Sequence, residues 1–478
     1  MHARFPHIAL ASLLVASPFV QASSPNLTSS QTDAIKAGLS ASDLQSWEIG
    51  TFAEALLELD TPSWSPQTPG VQFASFLTSS PPSSLDEVFT LAKNVTQDWT
   101  NTNKVNSSNT SVVAAPLLTN SAAGDPPSTG FAVILANITG RAQQDNLQYA
   151  EAATSQLEYL LTRVPKTSDG AISHRPEQLQ LWSDYVYMVP PFLAYYGAAT
   201  GNDTVLRMAH DQIRLYRQYL QNNSSSSGKG PSTAGLWRHM ALGNGPDEGF
   251  WSTGNAWAAA GIVRVLGIYA SSTQNSSLQT EQADLVEWAH EIHGALGPWL
   301  DGKTSLLHNY ADNSSEFLDA ASSTLFAASV YRLATLAAAG IPPASAKSSA
   351  GTSVGDLVPR VESSVPAAER VRVALFTNSS GSTGSGLAHF TADMTLMPVV
   401  NPHNFGAQLQ LPVDASNASL NDGLTRSPEA QAFVLELQAA YRDWTAGGSP
   451  ERSAAGAVGV QRGVLVAALA VAVGAALF

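Results

Sequence analysis

The sequence predicts an all-α protein, and antiparallel helix pairs arranged as a toroid would fit its pattern. About a dozen segments place apolar residues three and four positions apart, which is the spacing of one helix face. Alternation between apolar and polar residues, the mark of a strand, is weak everywhere except around residues 394–411. The loops between the helical segments differ widely in length, and helical bundles and hairpins tolerate such variation.

The predicted helices follow one another along the chain. The first, at residues 42–60, has apolar side chains at helical spacing and ends at a Thr-Pro turn. The second follows a capping box in which Ser84 and Glu87 can satisfy each other's backbone N–H groups. Further helices are predicted within residues 129–138, 146–164, 179–202, 204–220, 255–271, 281–296, 316–339, 358–376 and 427–444. Residues 341–355, rich in Ser, Ala and Pro, are interpreted as a surface loop.

Composition excludes several classes of function. The formal net charge is -14, which argues against a nucleic acid or an anionic membrane held by charge. Hydrophobic residues make up 44% and charged residues 13%, so most of the chain should be globular. There is no cysteine, so thiol nucleophiles, thiolate metal sites and disulfides are ruled out. No metal-ligand spacing or phosphate loop stands out, and neither a metal nor another cofactor is expected.

Both ends of the chain resemble targeting signals. Residues 1–22 combine a basic start, an apolar segment and a small-residue cleavage site, as in a secretory signal peptide. Residues 447–478 place small residues before a spacer and an apolar tail, as in a GPI-anchor signal. The tail is too short for a typical transmembrane helix. We therefore expect residues 23–446 to form one catalytic domain of a secreted protein, GPI-anchored at the plasma membrane or cell wall.

The density of glycosylation sequons is consistent with secretion, since Asn-x-Ser/Thr is the acceptor for N-glycosylation in secreted proteins. The sequons begin at Asn26, Asn94, Asn106, Asn109, Asn137, Asn202, Asn222, Asn275, Asn313, Asn378 and Asn417.

One carboxyl group stands out from its surroundings. Asp184 lies in an aromatic, otherwise uncharged run beside Trp182, Tyr185 and Tyr187. Flat rings stack on sugar faces, and apolar surroundings favour the protonated form of an acid. The pattern indicates a sugar-processing site, and a buried helix with one hydrogen-bonded Asp is the alternative.

The segment LWSDYVYMVPPFLAYYGAATGN resembles the signature of the unsaturated rhamnogalacturonyl hydrolases, glycoside hydrolase family 105, and of their unsaturated glucuronyl relatives. GLWRHM and WSTGNAW resemble the next two family blocks, and SPEAQAFVLELQAAYRDW resembles the closing helix of the fungal branch. These four blocks stand in the family's order, and the resemblance covers residues 47–444. It implies an (α/α)6 barrel of six helical hairpins.

The resemblance also implies a reaction. Polysaccharide lyases leave a sugar with a C4=C5 double bond, and enzymes of this family hydrate that bond with one Asp, here Asp184, as general acid and base. An ordinary glycosidase needs two carboxyl groups about 5 to 9.5 Å apart. No second acid adjoins Asp184 in the sequence, and hydration is therefore the expected chemistry.

Three further polar residues are predicted to bind the substrate. His174, ahead of the signature, and His239, in GLWRHM, match histidines of the family, and His174 would hydrogen-bond the uronyl unit. Asp125, in GDPPSTG, lies roughly where the family has a second active-site Asp. The family usually has an Asp two residues after the second histidine, but Ala241 stands there.

The remaining predicted substrate contacts are the rings of Trp182, Trp251 and Trp257, which would wall or stack on the sugar, and Thr253. Thr253 stands where the family usually has an Arg that suits carboxylate recognition. Either the site does not bind a uronate, or another cation such as Arg175 or Arg238 supplies the charge. Asp319, in FLDAASSTLF, is expected to cap a helix.

Two other functions stay open at this point. One is an ordinary inverting glycosidase that remodels wall mannan or glucan, which would need a second carboxylate across the cleft from Asp184. The other is a non-catalytic glycan-binding wall protein, which Thr253 and Ala241 favour. In each case the expected partner is an oligosaccharide or polysaccharide, and the expected state is a monomer.

Overall fold

The computed structural model describes residues 25–103, 113–224, 230–378, 384–411, 417–421 and 423–447. The predicted signal peptide, the predicted GPI tail beyond residue 447 and the sequons at Asn106 and Asn109 lie outside the described residues. Within the described part of the chain, none of the helices has the length and apolar character needed to span a bilayer. The proposed domain boundaries therefore stay predictions.

Helices dominate the described residues, and short strands pair in twos between them. The helices are α1 Ser29–Ser40, α2 Ser46–Asp60, α3 Phe73–Phe76, α4 Asp86–Asn103, α5 Gly130–Ile138, α6 Arg141–Asp145, α7 Tyr149–Thr162, α8 Tyr185–Thr200, α9 Asp203–Leu220, α10 Ser252–Ser271, α11 Gln279–Leu296, α12 Ala320–Ala338, α13 Val354–Phe376 and α14 Pro428–Gly447. The strands are β1 Leu181–Trp182, β2 Met240–Ala241, β3 Leu307–His308, β4 Leu318–Asp319, β5 Val400–Asn401 and β6 Asn404–Gln408, paired antiparallel as β1–β2, β3–β4 and β5–β6.

The long helices form a closed double ring. Helices α2, α5, α8, α10, α12 and α14 each contact the next, and α14 returns to α2, so they make an inner ring. Helices α4, α7, α9, α11 and α13 each pack outside one or two of these, and α1 packs against α14. Outer and inner helices alternate along the chain, which gives six hairpins. The predicted (α/α)6 barrel is confirmed.

The inner and outer helices differ in how many of their residues are buried, in agreement with the polarity of their sequences. Every residue of α10 is buried, whereas α9 alternates a buried apolar face with a polar one that includes Arg214. Glycine lets α10 approach α8 closely, because a Cβ at Gly261 would lie 2.2 Å from the carbonyl oxygen of Val186. That carbonyl has no helical N–H partner four residues on, where Pro190 stands. Small residues therefore set the spacing of the inner ring.

The interior of the inner ring contains buried ion pairs between side chains. The Arg264 guanidinium pairs with Glu54, Glu58 and Glu436, and Arg332 pairs with Glu58 at 2.9 Å. Charges this deep in a protein are tolerated only when they are paired and hydrogen-bonded. This network ties α2, α10, α12 and α14 together across the axis of the barrel.

Five of the six inner helices, α2, α5, α8, α10 and α14, begin at or near residues that line one cavity. Trp47 lies in the first turn of α2, Asp184 and Trp251 are the N-cap residues of α8 and α10, and Glu429 lies in the first turn of α14. These four residues line the cavity. Asp125 precedes the short turn that leads into α5. The positive ends of the helix dipoles therefore point toward the cavity.

Three local predictions differ from the structure. Residues 179–202 were expected to form one helix, but their first part pairs as β1 with β2, and α8 starts only at Tyr185. Helix α1, capped by Thr28, is absent from the sequence-based set. Residues 83–85 form a 3-10 turn before α4, in place of the predicted capping box. In the first case, pairing of β1 with β2, which is distant in sequence, determines the backbone conformation. The local spacing of apolar residues does not reveal that pairing.

Candidate active site

The described residues enclose a cavity of about 480 Å³ at the end of the barrel where the inner helices begin. A cavity of this size is typical of a small-molecule site. Aromatic rings, carboxyl groups and histidines share its wall. The lining residues are Gln45, Trp47, Asn120, Ser121, Ala122, Asp125, His174, Arg175, Trp182, Asp184, Met188, His239, Trp251, Trp257, Pro402, His403, Phe405 and Glu429.

Two carboxyl groups meet in this cavity. One oxygen from Asp125, one from Asp184 and one ring nitrogen of His174 all lie within 4.8 Å of one another. Although Asp184 is the N-cap residue of α8, its side chain bonds no N–H of that helix. Its Oδ1 is buried and has no hydrogen-bond partner among the described residues. No second acid adjoins Asp184 in the sequence, but the fold brings to it Asp125, the second active-site Asp that the family resemblance implies.

Burial and charge act strongly on Asp125. Its Oδ2 accepts a hydrogen bond of 3.1 Å from the Asn120 amide. Burial and the nearby Asp184 carboxylate raise the pKa of Asp125 to about 8, against the opposing effect of Arg175. At neutral pH Asp125 is therefore protonated, and the acid pair holds a proton inside the cavity.

His174 and Trp182 form one stacked wall. Their ring centroids are 4.7 Å apart at 19° between the planes, and Trp182 donates a 2.8 Å hydrogen bond to Gln180 Oε1. His174 Nε2 lies 3.6 Å from Asp125 Oδ1. Burial lowers the pKa of His174 to about 4, so the imidazole is neutral. Both residues line the cavity, as predicted for substrate contacts.

His239 is oriented by a carboxylate that the sequence analysis missed. Its Nδ1 lies 2.9 Å from Asp247 Oδ2, which also accepts a hydrogen bond from the Tyr310 hydroxyl. Burial opposes these hydrogen bonds, but they leave the pKa of Asp247 lowered, so the group is ionised. The His239 side chain lines the cavity. Its Nε2 atom is buried and has no hydrogen-bond partner among the described residues. Backbone pairing of Met240 with Asp247 folds the turn back onto His239, which sequence spacing does not reveal.

Trp251 and Trp257 reach the cavity from α10. Trp251 packs 4.5 Å from the His239 ring and donates to Asn309 Oδ1 at 3.1 Å. Trp257 is almost fully buried and packs edgewise on Tyr187 at 4.3 Å. Trp251 is thus fixed beside a candidate catalytic group, and Trp257 closes the floor.

Thr253 lies elsewhere than predicted. Its side chain is fully buried, is not part of the cavity wall and donates a 2.8 Å hydrogen bond to Asp319 Oδ2. Asp319 caps α12 by accepting from the N–H groups of Ala321 and Ser322, as expected of a helix cap. Thr253 therefore joins α10 to α12, and it does not fit the predicted role in substrate binding.

Charged residues absent from the predicted site also line the cavity. Arg175 is half-buried, with its guanidinium 5.9 Å from the Trp182 ring centroid and 2.9 Å from Glu177. Glu429 accepts a 2.9 Å hydrogen bond from the Trp47 indole. Arg238, the other cation considered, is not part of the wall and lies 3.8 Å from Glu248. Arg175 is the only arginine or lysine among the lining residues.

Among the described residues, Asp125, His174 and Asp184 also have ligand atoms close enough together to hold a metal ion. Carboxyl groups arranged in this way equally perform acid–base chemistry by themselves. Together with the ring-lined wall, they form a site suited to proton transfer on a carbohydrate.

A helical toroid with paired carboxyl groups in an aromatic cavity is the arrangement expected of a glycoside hydrolase. The chain belongs to glycosyl hydrolase family 88, since the model of that family matches residues 94–333, half of the chain. The matched span contains Asp125, Asp184 and His239. The family resemblance read from the sequence is thereby confirmed, and the fungal branch stays a prediction. A comparison with curated proteins finds no match.

Solved structures share the fold at low sequence identity. A possible member of the GH105 family from Klebsiella pneumoniae is 14% identical, with a TM-score of 0.58, covering 91% of this chain and 99% of its own. A possible member of the same family from Salmonella enterica is 13% identical, with a TM-score of 0.57, covering 90% and 99%. A glycosyl hydrolase family 88 protein from Bacteroides vulgatus is 13% identical, with a TM-score of 0.52, covering 87% and 98%.

Proposed function

We propose that this glycoside hydrolase hydrates the C4=C5 double bond of an unsaturated uronyl residue at the end of an oligosaccharide. The observation that carries the proposal is the carboxyl pair: Asp184 presents an unbonded Oδ1, with an oxygen of Asp125 within 4.8 Å. Family membership supports the same chemistry, because the sequence blocks around Asp184 and His239 are those of the unsaturated uronyl hydrolases.

In the proposed reaction Asp184 passes the proton held by the Asp125–Asp184 pair to C4 and then accepts one from the water that adds at C5. The hydroxyl added at C5 makes a hemiketal, the ring opens to a ketone at C5, and the exposed hemiacetal at C1 releases the next sugar. Asp125, protonated at neutral pH, keeps a proton beside Asp184 and limits the negative charge of the pair. His239, held by Asp247, is placed to hydrogen-bond a sugar oxygen through Nε2.

Recognition of the uronyl carboxylate falls to Arg175, the only arginine or lysine that the described residues contribute to the cavity wall. A guanidinium binds a carboxylate through two parallel hydrogen bonds. The inner helices add to this attraction, since their positive ends surround the cavity. Arg175 thus takes the role that the family gives to the Arg replaced by Thr253.

A second candidate is an ordinary glycosidase acting on a neutral wall glycan. The acid pair itself favours it, because a retaining glycosidase uses two carboxyl groups about 5 to 5.5 Å apart. The cavity also contains three carboxyl groups, Asp125, Asp184 and Glu429, against one arginine. The carboxyl groups can hydrogen-bond sugar hydroxyls, whereas Arg175 is the only arginine or lysine among the described lining residues to attract an anionic sugar.

We further propose that the enzyme acts outside the cell, as a secreted glycoprotein with a GPI anchor. The end segments of the sequence support this, as do the exposed sequon residues Asn94, Asn202, Asn275 and Asn313. The substrate would then be a product of extracellular lyases acting on pectin.

Ultraviolet absorbance of the unsaturated uronyl group tests the proposal against its rival. Purified protein is mixed with lyase-treated pectin fragments and, separately, with intact mannan and glucan. Loss of absorbance from the pectin fragments supports hydration. Release of reducing sugar from an intact polysaccharide, with absorbance unchanged in the fragments, supports the ordinary glycosidase and overturns the main proposal.

A further inference from the structure

Glu429 is a cavity residue that the proposed reaction leaves unused. It lies in the first turn of α14 and is 4% exposed, yet its side chain forms part of the cavity wall. Trp47 Nε1 donates to Glu429 Oε2 at 2.9 Å and fixes the orientation of the carboxyl group. No described residue hydrogen-bonds the other oxygen, Oε1. A carboxyl oxygen without a partner among the described residues, on a side chain that lines a cavity, is suited to bind a ligand atom.

The residues around Glu429 supply flat surfaces. The Trp47 ring lies 6.3 Å from the His403 ring, nearly perpendicular to it, and both residues line the cavity with Glu429. Trp47 comes from the start of α2 and His403 from the turn between β5 and β6. None of these three residues hydrogen-bonds the Asp125, His174 or Asp184 side chains. They form an adjoining part of the wall, close enough to Asp184 for the charge of Asp184 to act on Glu429, and they offer ring faces and one carboxyl group.

We propose that Glu429, Trp47 and His403 form a second sugar subsite, which binds the neutral sugar attached to the unsaturated uronyl unit. The inference rests on the proposed function. Trp47 packs against the sugar ring, and Glu429 Oε1 hydrogen-bonds one of its hydroxyl groups. A sugar with its own carboxylate is disfavoured here, because Asp184 and Glu48 add negative charge around Glu429.

The protonation of Glu429 suits this role. Burial, followed by the neighbouring Glu48, raises the pKa of Glu429 to about 8 despite the hydrogen bond from Trp47, and Asp319 and Asp184 act in the same direction as Glu48. At neutral pH the protonated carboxyl group can donate to a hydroxyl oxygen, and it adds no charge that would repel the uronyl unit. Glutamine has the same shape and also donates, so Glu429→Gln should preserve the contact.

Two probes test the subsite: an unsaturated galacturonyl disaccharide that carries rhamnose, and the methyl glycoside of the same unsaturated uronate. Glu429→Ala should raise KM for the disaccharide roughly three- to tenfold, the value of one hydrogen bond, with kcat unchanged. The same variant should leave the methyl glycoside unaffected, and Glu429→Gln should behave like wild type on both. An equal rise in KM on both probes, or a fall in kcat alone, would overturn the proposal.

Glu48→Gln is the matched control. Glu48 is buried beside Glu429 and burial raises its pKa to about 7, but it does not line the cavity. Its bond from the Gln45 N–H survives in glutamine. An unchanged KM supports contact by Glu429, whereas a rise equal to that of Glu429→Ala would assign the effect to a general disturbance of the buried carboxyl groups and contradict the proposal.

Calorimetric binding separates this inference from the proposed function. If wild type turns over neither probe, the proposed hydration fails, and binding of a saturated galacturonyl-rhamnose disaccharide then tests the subsite alone. Weaker binding by Glu429→Ala with unchanged binding by Glu429→Gln supports the subsite. Equal binding by wild type and both variants rejects it.

Discussion

A carboxyl oxygen of Asp125 lies within 4.8 Å of one of Asp184, at the starts of two inner helices that pack on each other. Two acids this close resist double ionisation, so one proton stays between them at neutral pH. The pair is therefore ready to protonate a carbon and to accept a proton from water. The proposed hydration of the C4=C5 bond depends on this relationship.

Stability should report the proton held by Asp125. Folding raises the pKa of this carboxyl from 3.8 to about 8, mainly through burial. Stability from this group is thus complete below pH 3.8 and is lost as pH rises toward about 8. Asp125→Asn cannot ionise, so thermal unfolding should show a smaller loss of stability between pH 5 and pH 8 than wild type, by on the order of 1 kcal/mol or more. Parallel curves for the two proteins would contradict the prediction.

The bond between Asp247 and His239 should matter for catalysis. Asp247→Asn keeps the shape of the side chain but removes the charge that holds the His239 N–H. We expect kcat to fall by roughly tenfold or more, as happens when a carboxylate that orients a histidine is neutralised. Tyr310→Phe removes only the hydroxyl donor to the same carboxylate and is the matched control. A larger loss in Tyr310→Phe than in Asp247→Asn would show that His239 is not oriented through Asp247.

Arg175 should determine affinity for the uronyl carboxylate. Arg175→Met keeps the apolar stem against Trp182 and removes the charge, so KM for an unsaturated uronide should rise about tenfold with kcat nearly unchanged. Arg238→Met is the control, since Arg238 is outside the cavity wall. Equal values of KM in the two variants would remove Arg175 from substrate recognition.

Thr253 should affect stability and leave activity unchanged. Thr253→Val deletes the hydroxyl that donates to Asp319 and keeps the volume of the side chain. Asp319 retains its bonds from Ala321, Ser322 and Val400, so the expected loss is about 1–2 kcal/mol. Chemical denaturation measures that loss, and steady-state kinetics should give wild-type KM. A raised KM at wild-type stability would instead restore Thr253 as a substrate contact.

The sequence is sufficient to predict the helical ring and much of the site. Helical periodicity locates α7, α9, α10 and α13 to within a few residues, because each buries one face or all faces in the rings. The aromatic run around Asp184 leads directly to the cavity. His174, Trp182, His239, Trp251, Trp257 and Asp125 all line it, as expected from the family blocks.

The features of the site that the sequence does not predict depend on contacts between residues distant in sequence. Asp125 and Asp184 become neighbours only when α5 and α8 pack, and Trp47 reaches Glu429 only when α14 closes the ring on α2. Asp247 meets His239 through a turn whose geometry depends on backbone pairing at Met240. Local patterns contain no information on such pairings, which explains why Asp125 and Asp184 were each predicted but not as neighbours, and why Glu429 was not predicted to line the cavity.

Proton NMR of the product formed in D₂O tests hydration by Asp184 most directly. With an unsaturated galacturonyl disaccharide, wild type should remove the vinyl signal at C4 and place one deuterium on that carbon in the released keto acid. Asp184→Asn should stay folded, because Oδ1 of Asp184 has no hydrogen-bond partner among the described residues to lose. The variant should slow the loss of the vinyl signal by about 10²–10⁴-fold. A released uronate that keeps its vinyl proton and carries no deuterium, or an active Asp184→Asn variant, would contradict the account.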